Sequence, residues 1–190
     1  MGLWSKILAW FRPIQIIQMP PDLKKPKPAP NELGDAIARI AEAEALAGVR
    51  EHPKDSNRGP RVYEYQQATW LEGSGWPWCA AFVCWCVREA IGGAKVSFRR
   101  PLTAGAWDFE RWADKEGVDI IRRPGAGAIM RGDILVYSFS HIGIATGPAY
   151  AGSIPVVEGN TNAAGSREGG GVYARSRDIA QVRSRIRLRV

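Results

Sequence analysis

The segment GWPWCAAFVCWCVREAIGG, residues 75–93, decides the fold prediction for this chain. A Gly/Pro/Trp loop is followed by thirteen mostly apolar residues, and Gly92-Gly93 then supplies the residue type that commonly ends a helix. The pattern predicts a buried helix over 79–91 with Cys79 as its first residue. The helix dipole and the free N–H groups at such a position favour a thiolate and can hold an oxyanion, so Cys79 is the candidate nucleophile.

The other two cysteines, Cys84 and Cys86, lie inside the same predicted helix and are expected to act as small buried hydrophobes. Along a helix axis Cys79 and Cys86 are separated by about 10 Å, which exceeds the roughly 7 Å that a disulfide tolerates between Cα atoms. We therefore expect three free thiols rather than a disulfide scaffold.

Length and charge limit the possible architectures and partners. The chain has 190 residues, enough for one packed domain and a tail, and we expect it to be a monomer. It carries 26 Lys and Arg against 19 Asp and Glu, a formal net charge of +7 with His neutral, which favours nucleic acid, anionic lipid or a bacterial wall polymer. No nucleic-acid-binding motif accompanies the charge, so we expect no nucleic-acid partner.

The N-terminal part of the sequence differs from the rest. Residues 1–19 form an amphipathic segment, in which 1–12 carry an apolar stripe at helical spacing that is too short to span a bilayer. Three interpretations stay open for it: a membrane-surface anchor, a docking helix for a partner, or a flap on the domain. Residues 20–30 hold five prolines and three lysines and are interpreted as a semi-rigid linker, which leaves 31–190 as the folded domain.

The domain changes from helical to strand patterns along the sequence. The predicted helices cover 31–49, 61–72 and 79–91, with a fourth capped by Thr103 and ending near 117. Six strand-like runs follow, at 118–122, 133–139, 141–146, 154–158, 171–175 and 182–190. Helices followed by an antiparallel sheet make an α+β fold. Alternating arginines predict that the last run is an edge strand with one solvated face.

A predicted hairpin brings a histidine to a carboxylate. The runs HIGIAT (141–146) and IPVVE (154–158) are expected to pair, and matching Ala145 with Ile154 places His141 nearly opposite Glu158. A neighbouring carboxylate fixes the tautomer of a catalytic imidazole and stabilises its cation. Asn160 would share that face, whereas a one-residue slip would separate the pair. The other histidine, His52, is interpreted as structural.

These motifs together resemble the CHAP family, the cysteine- and histidine-dependent amidohydrolases/peptidases of the papain-like superfamily. The resemblance runs over roughly 40–178 and rests on the segments PWCAAFVCWC, GDILVYS, HIGIATG and VVEGNT, with NRGPRVYEY ahead of them. It implies N-terminal helices packed on a C-terminal sheet, and most often peptidoglycan cleavage, as in phage and bacterial lysins. It also implies that Cys79 is the nucleophile, His141 the general base, Glu158 its orienting carboxylate and Asn160 a secondary polar residue.

The resulting hypothesis is a peptidoglycan amidase or endopeptidase, such as an endolysin, that works without a cofactor. Trp76 and Trp78 are interpreted as substrate-binding residues that wall a cleft. Some CHAP proteins bind calcium through alternating aspartates, but only Asp55-x-Asn57 stands in a comparable place, so no metal is expected. We further expect synthesis in a bacterial cytoplasm without a recognisable signal peptide and action at the wall or periplasm.

Two other functions compete with this hypothesis. A zinc module is rejected because Cys84 and Cys86, two residues apart on a helix, point about 200° apart and cannot share a metal. A non-catalytic membrane-associated or phage assembly protein with a CHAP-like fold stays as the alternative, although the presence of Cys79, His141 and Glu158 argues against it.

The N-terminal segment gives the first prediction. Deleting residues 1–30 should leave the melting temperature and the hydrolysis of soluble wall fragments nearly unchanged, since the linker separates the segment from the core. The same deletion should weaken binding to anionic liposomes, because an apolar stripe with nearby lysines gains both burial and charge attraction at a lipid surface. A marked fall in melting temperature would show instead that the segment packs on the domain.

Overall fold

A computed structural model describes residues 32–190, and the predictions for residues 1–19 and 20–30 lie outside this range. Within it, four α-helices precede a six-stranded antiparallel sheet, which confirms the predicted α+β fold. The helices are α1 (Glu32–Leu46), α2 (Pro60–Gln66), α3 (Cys79–Ile91) and α4 (Asp108–Glu116). The strands are β1 (Asp119–Arg122), β2 (Ile134–Tyr137), β3 (Ile142–Ala145), β4 (Ser153–Thr161), β5 (Gly171–Asp178) and β6 (Val182–Arg187).

Three helix boundaries differ from the prediction, and the smallest difference is in α1, which ends at Leu46 instead of 49. Helix α2 stops at Gln66 instead of continuing to 72, and the chain then turns into a Gly-rich loop that leads to α3. Helix α4 begins at Asp108, so Thr103 is not its N-cap. The Thr103 hydroxyl instead accepts a hydrogen bond from the N–H of Gly105, 3.1 Å away, and stabilises the loop before the helix.

Helix α3 is the centre of the larger hydrophobic core. Every residue from Cys79 to Val87 is buried, and the helix packs against α1, α2, β3 and β4. Tyr65 of α2 contacts three aromatic rings, that of Trp78 just before α3 and those of Phe82 and Trp85 within it, with centroid distances of 5.2–5.4 Å. All three cysteines are free thiols, as predicted. Among residues 32–190, no helix combines the length and apolar character needed to cross a bilayer.

The strand order in the sheet is β1-β6-β2-β3-β4-β5. The prediction of an edge position for β6 is therefore wrong, because β6 pairs with β1 on one side and with β2 on the other. Its arginines are not all solvated either: Arg185 and Arg187 are 3% and 7% exposed. Carboxylates on neighbouring segments compensate their charges, with Arg187 Nε 2.7 Å from Asp133 Oδ1 and Arg185 Nη1 2.8 Å from Asp119 Oδ2.

Helix α1 meets the sheet through a close backbone contact. Gly132 lies before β2 with φ of +85°, and a Cβ built on it would come within 2.1 Å of the Gly34 carbonyl oxygen in α1. The N–H of Gly132 donates to the carbonyl of Ala145 at 2.8 Å, so the turn is also tied to β3. Only glycine fits this position, since any side chain would collide with helix backbone.

This contact gives the second prediction. Gly132→Ala should lower the free energy of unfolding by about 3 kcal/mol or more, because left-handed strain adds to a steric clash with α1. Gly152→Ala is the matched control: its φ is +81°, but a Cβ there meets nothing within 4 Å. It should cost about 1–2 kcal/mol from strain alone. Equal losses in urea unfolding would contradict the close-approach argument.

Candidate active site

Cys79 is the first residue of α3, as predicted. Its side chain is 7% exposed, while Trp78 before it is completely buried and holds the loop in the core. The first N–H groups of a helix have no carbonyl partner inside that helix. A carbonyl oxygen brought to the Cys79 sulfur would therefore meet backbone donors and the positive end of the α3 dipole.

His141 lies at the end of the tight turn between β2 and β3. Ser140 in this turn adopts φ of +56°, and the carbonyl of His141 accepts a hydrogen bond from the N–H of Tyr137 at 2.9 Å. The imidazole stacks beside the rings of Tyr137 and Phe139, each with its centroid 6.0 Å away. The turn thus fixes both the position and the plane of the ring.

Glu158 comes from β4, and the register that brings it to His141 differs from the predicted one. Ala145 pairs with Val156 rather than with Ile154, a shift of two residues. An even shift leaves every side chain on its predicted face of the sheet, so the two groups still meet. Nε2 of His141 lies 3.2 Å from Oε2 of Glu158, and both side chains are completely buried.

Electrostatic attraction, rather than a well-directed hydrogen bond, holds His141 and Glu158 together. Within residues 32–190, neither ring nitrogen of His141 has a partner with good hydrogen-bond geometry, although the distance to Glu158 is that of an ion pair. Burial lowers the pKa of His141, but contacts with the Cys79 sulfur and with Glu158 outweigh burial and raise that pKa to about 9. At neutral pH the imidazole is therefore a cation placed beside the thiol, which is the arrangement that activates a cysteine.

Because Nε2 lies 3.2 Å from Oε2 of Glu158, Nδ1 is the ring nitrogen left to exchange a proton with the Cys79 sulfur. Three separate segments, the α3 N-terminus, the β2–β3 turn and β4, thus contribute one group each. This arrangement has the parts of a nucleophile, an acid/base and an orienting carboxylate.

Glu158 has a further partner that the sequence prediction missed. Arg177 of β5 holds both carboxylate oxygens, with Nε 2.7 Å from Oε1 and Nη2 2.6 Å from Oε2. Burial raises the pKa of Glu158, but Arg177 first and His141 second lower it to about 2. Alternating arginines in YARSRD (173–178) were the available signal, but the pattern alone does not tell a solvated face from a buried one.

The remaining predicted site residues have different surroundings. Asn160 is 1% exposed and left-handed, with φ of +57°, and its amide atoms lack a hydrogen-bond partner in the described part of the chain. Trp78 is completely buried, and its Nε1 donates to Glu51 Oε1 at 2.8 Å. Its prediction as a substrate-binding residue is therefore corrected: it belongs to the core. Trp76 is half-buried and its substrate-binding role stays a prediction.

No group of three or more His, Cys, Asp or Glu side chains lies close enough to hold a metal ion within residues 32–190. Asp55 and Asn57 are both left-handed loop residues, with φ of +57° and +54°. Asp55 lies next to Lys54, at 3.9 Å between Nζ and Oδ2.

A protein-family model matches the part of the chain that contains this site. The model of the CHAP domain matches residues 71–160, which include Cys79, His141, Glu158 and Asn160. The match confirms the resemblance seen in the sequence motifs, over a shorter range than the motifs suggested, since α1, α2, β5 and β6 lie outside it. A comparison with curated proteins finds no match.

The three thiols give the third prediction. Iodoacetamide at neutral pH should alkylate Cys79 first, because a cation lies beside it and Cys79 is the only one of the three cysteines that keeps any solvent exposure. Cys84 and Cys86 are completely buried, and burial raises the pKa of both thiols. Peptide mass spectrometry after short exposure measures the order of labelling. Earlier labelling of Cys84 or Cys86 would contradict the assignment of the nucleophile.

Proposed function

Because residues 71–160 match the CHAP domain, whose family consists of amidases and peptidases, we propose that the chain is a cysteine hydrolase that cleaves amide bonds of bacterial peptidoglycan. The observation that carries the proposal is the convergence of Cys79, His141 and Glu158. Their segments are far apart in sequence, yet a helix start, a tight turn and a strand bring the three groups together. A buried charge is costly unless it is paired, and here the buried imidazole of His141 interacts with both the Glu158 carboxylate and the Cys79 sulfur.

The reaction follows from the positions of these groups. The Cys79 sulfur, whose proton has passed to His141, attacks the amide carbonyl as a thiolate, and the oxyanion that forms lies at the α3 N-terminus. His141 gives its proton to the leaving amine as the C–N bond breaks, which leaves a thioester on Cys79. His141 then removes a proton from water, the hydroxide attacks the thioester, and the carboxylic acid is released as Cys79 leaves as a thiolate beside the protonated His141.

The proposed substrate also fits the charge of the protein. Peptidoglycan stem peptides carry carboxylates, and the chain carries a formal net charge of +7. A positive surface raises the local concentration of an anionic polymer and speeds encounter with it. An endolysin or a cell-wall remodelling enzyme acting at the wall or periplasm, as a monomer, is the corresponding biological setting that we propose.

The fourth prediction concerns hydrolysis and its pH dependence. The full chain should release fragments from purified peptidoglycan, and mass spectrometry of these fragments identifies the bond that is cut. Turnover should fall as the pH rises through about 9, because His141 then loses the proton that the leaving amine needs.

Variants separate the roles. Cys79→Ala should abolish hydrolysis, and Cys84→Ala, which removes a buried thiol of the same helix, is the matched control that should affect mainly stability. Glu158→Gln should lower kcat strongly, but less than His141→Ala, because orientation is impaired while the base remains. Hydrolysis by Cys79→Ala would overturn the mechanism, and no hydrolysis by the folded wild type would favour the non-catalytic alternative.

A further inference from the structure

Arg177 is enclosed on several sides at the back of the active site. The residue is 7% exposed, and its guanidinium grips both oxygens of Glu158 in a fork. Nη2 also donates to the carbonyl of Gly165 at 3.1 Å. The guanidinium carbon lies 4.9 Å from the ring centre of Phe139 and 5.3 Å from that of Tyr137, the two rings that stack beside His141.

We propose that Arg177 is a positioning residue for the catalytic centre, which keeps the Glu158 carboxylate ionised and aimed at His141. The proposal rests on the proposed hydrolase function for its catalytic meaning, but the effect on Glu158 can be measured without any substrate. Arg177 lies in β5, beyond the residues 71–160 that match the CHAP domain, so family motifs do not point to it.

The geometry explains why such a residue is needed. Glu158 is completely buried, and a carboxyl group in that environment protonates unless cations compensate its charge. A protonated Glu158 would lose its attraction for the imidazolium and would be free to rotate. Arginine suits the task because its planar fork fixes both oxygens at once, whereas a lysine is a single point of charge.

Several charged and titratable groups face Glu158 from the elements around it. His141 approaches from the β2–β3 turn and Tyr137 from β2. From β5, Arg175 Nε lies at a looser 3.9 Å from Oε2, in addition to the two contacts of Arg177. Arg175 directs Nη1 to the carbonyl of Asn162 at 3.1 Å instead, so Arg177 is the cation that holds the carboxylate in the fork.

The fifth prediction is tested first by proton NMR of the His141 ring. The chain has two histidines, so a Cys79→Ala, His52→Gln background leaves one imidazole and removes the thiol beside it. With Arg177 present, the chemical shift of the His141 ring protons should respond to protonation of Glu158 only at the lowest pH values of the titration, because the pKa of Glu158 is about 2. This response is the acid inflection. Arg177→Met should move that acid inflection upward by at least about one pH unit.

Three controls accompany the titration. Glu158→Gln should remove the acid inflection, which assigns it. Arg177→Lys should restore part of the shift, since it restores charge without the fork. Arg187→Met removes another buried, two-point arginine–carboxylate pair of the same sheet, to Asp133, and should leave the His141 titration unchanged even where it lowers the melting temperature.

A double-mutant cycle then ties the effect to turnover. Arg177→Met should lower kcat on wall fragments about 10- to 100-fold when Glu158 is present, but less than about 2-fold in a Glu158→Gln background. The double variant also lacks the unpaired buried carboxylate, so it tests the proposal even where the single variant folds poorly.

The outcomes are distinct. An unmoved acid inflection in Arg177→Met, or an equal loss of kcat in both backgrounds, would overturn the positioning role. If the wild type hydrolyses no peptidoglycan while the inflection moves as expected, the proposed substrate fails and the role of Arg177 toward Glu158 stands.

Discussion

The completely buried carboxylate of Glu158 is the constraint on which the site depends. Removing one partner from a buried ion pair typically costs about 3–5 kcal/mol, because the remaining charge is left in a medium that solvates it poorly. Here Arg177 and His141 share one carboxylate, so a structural pair and a catalytic pair are combined. Arg177 comes from β5 and His141 from the β2–β3 turn. Strand β4, which carries Glu158, lies between β3 and β5 in the sheet.

The same arrangement accounts for the state of the imidazole. With its charge balanced by Arg177, Glu158 stays ionised, and an ionised Glu158 helps to keep His141 protonated at neutral pH. Arg177 thus influences the proton on His141 through Glu158, the carboxylate that both groups contact. A substitution at Arg177 in β5 can therefore alter the chemistry of a thiol on α3, at the other end of a chain of contacts through Glu158 and His141.

Much of this could be predicted from the sequence, because local patterns determine it. The bounds of α3 and the position of Cys79 follow from an apolar run between a Gly/Pro loop and Gly92-Gly93, and they agree with the structure. Alternation along β3 and β4 placed His141 and Glu158 on a shared face. The register was wrong by two residues, an error that preserves this face and so left the predicted pair intact.

Charge compensation between distant segments could not be predicted in the same way. The arginines of β6 were assigned to solvent because their pairing with Asp119 and Asp133 depends on the strand order, which alternation does not reveal. Arg177 was missed for the same reason. Trp78 was placed at a cleft because it stands in a loop, whereas its contact with Tyr65 and its hydrogen bond to Glu51 hold it in the core.

The position of β6 has a consequence for how the chain folds during its synthesis on the ribosome. This strand is synthesised after all its neighbours, yet it lies between β1 and β2 and joins β1 to the rest of the sheet. Pairings between segments distant in sequence form late and slowly, so an emerging chain cannot complete the sheet before residue 187 is free. Arg177 also emerges only shortly before that point. A nascent chain therefore carries its cysteine, histidine and glutamate for some time without the framework that aligns them, and it gains its full geometry only after β6 has emerged.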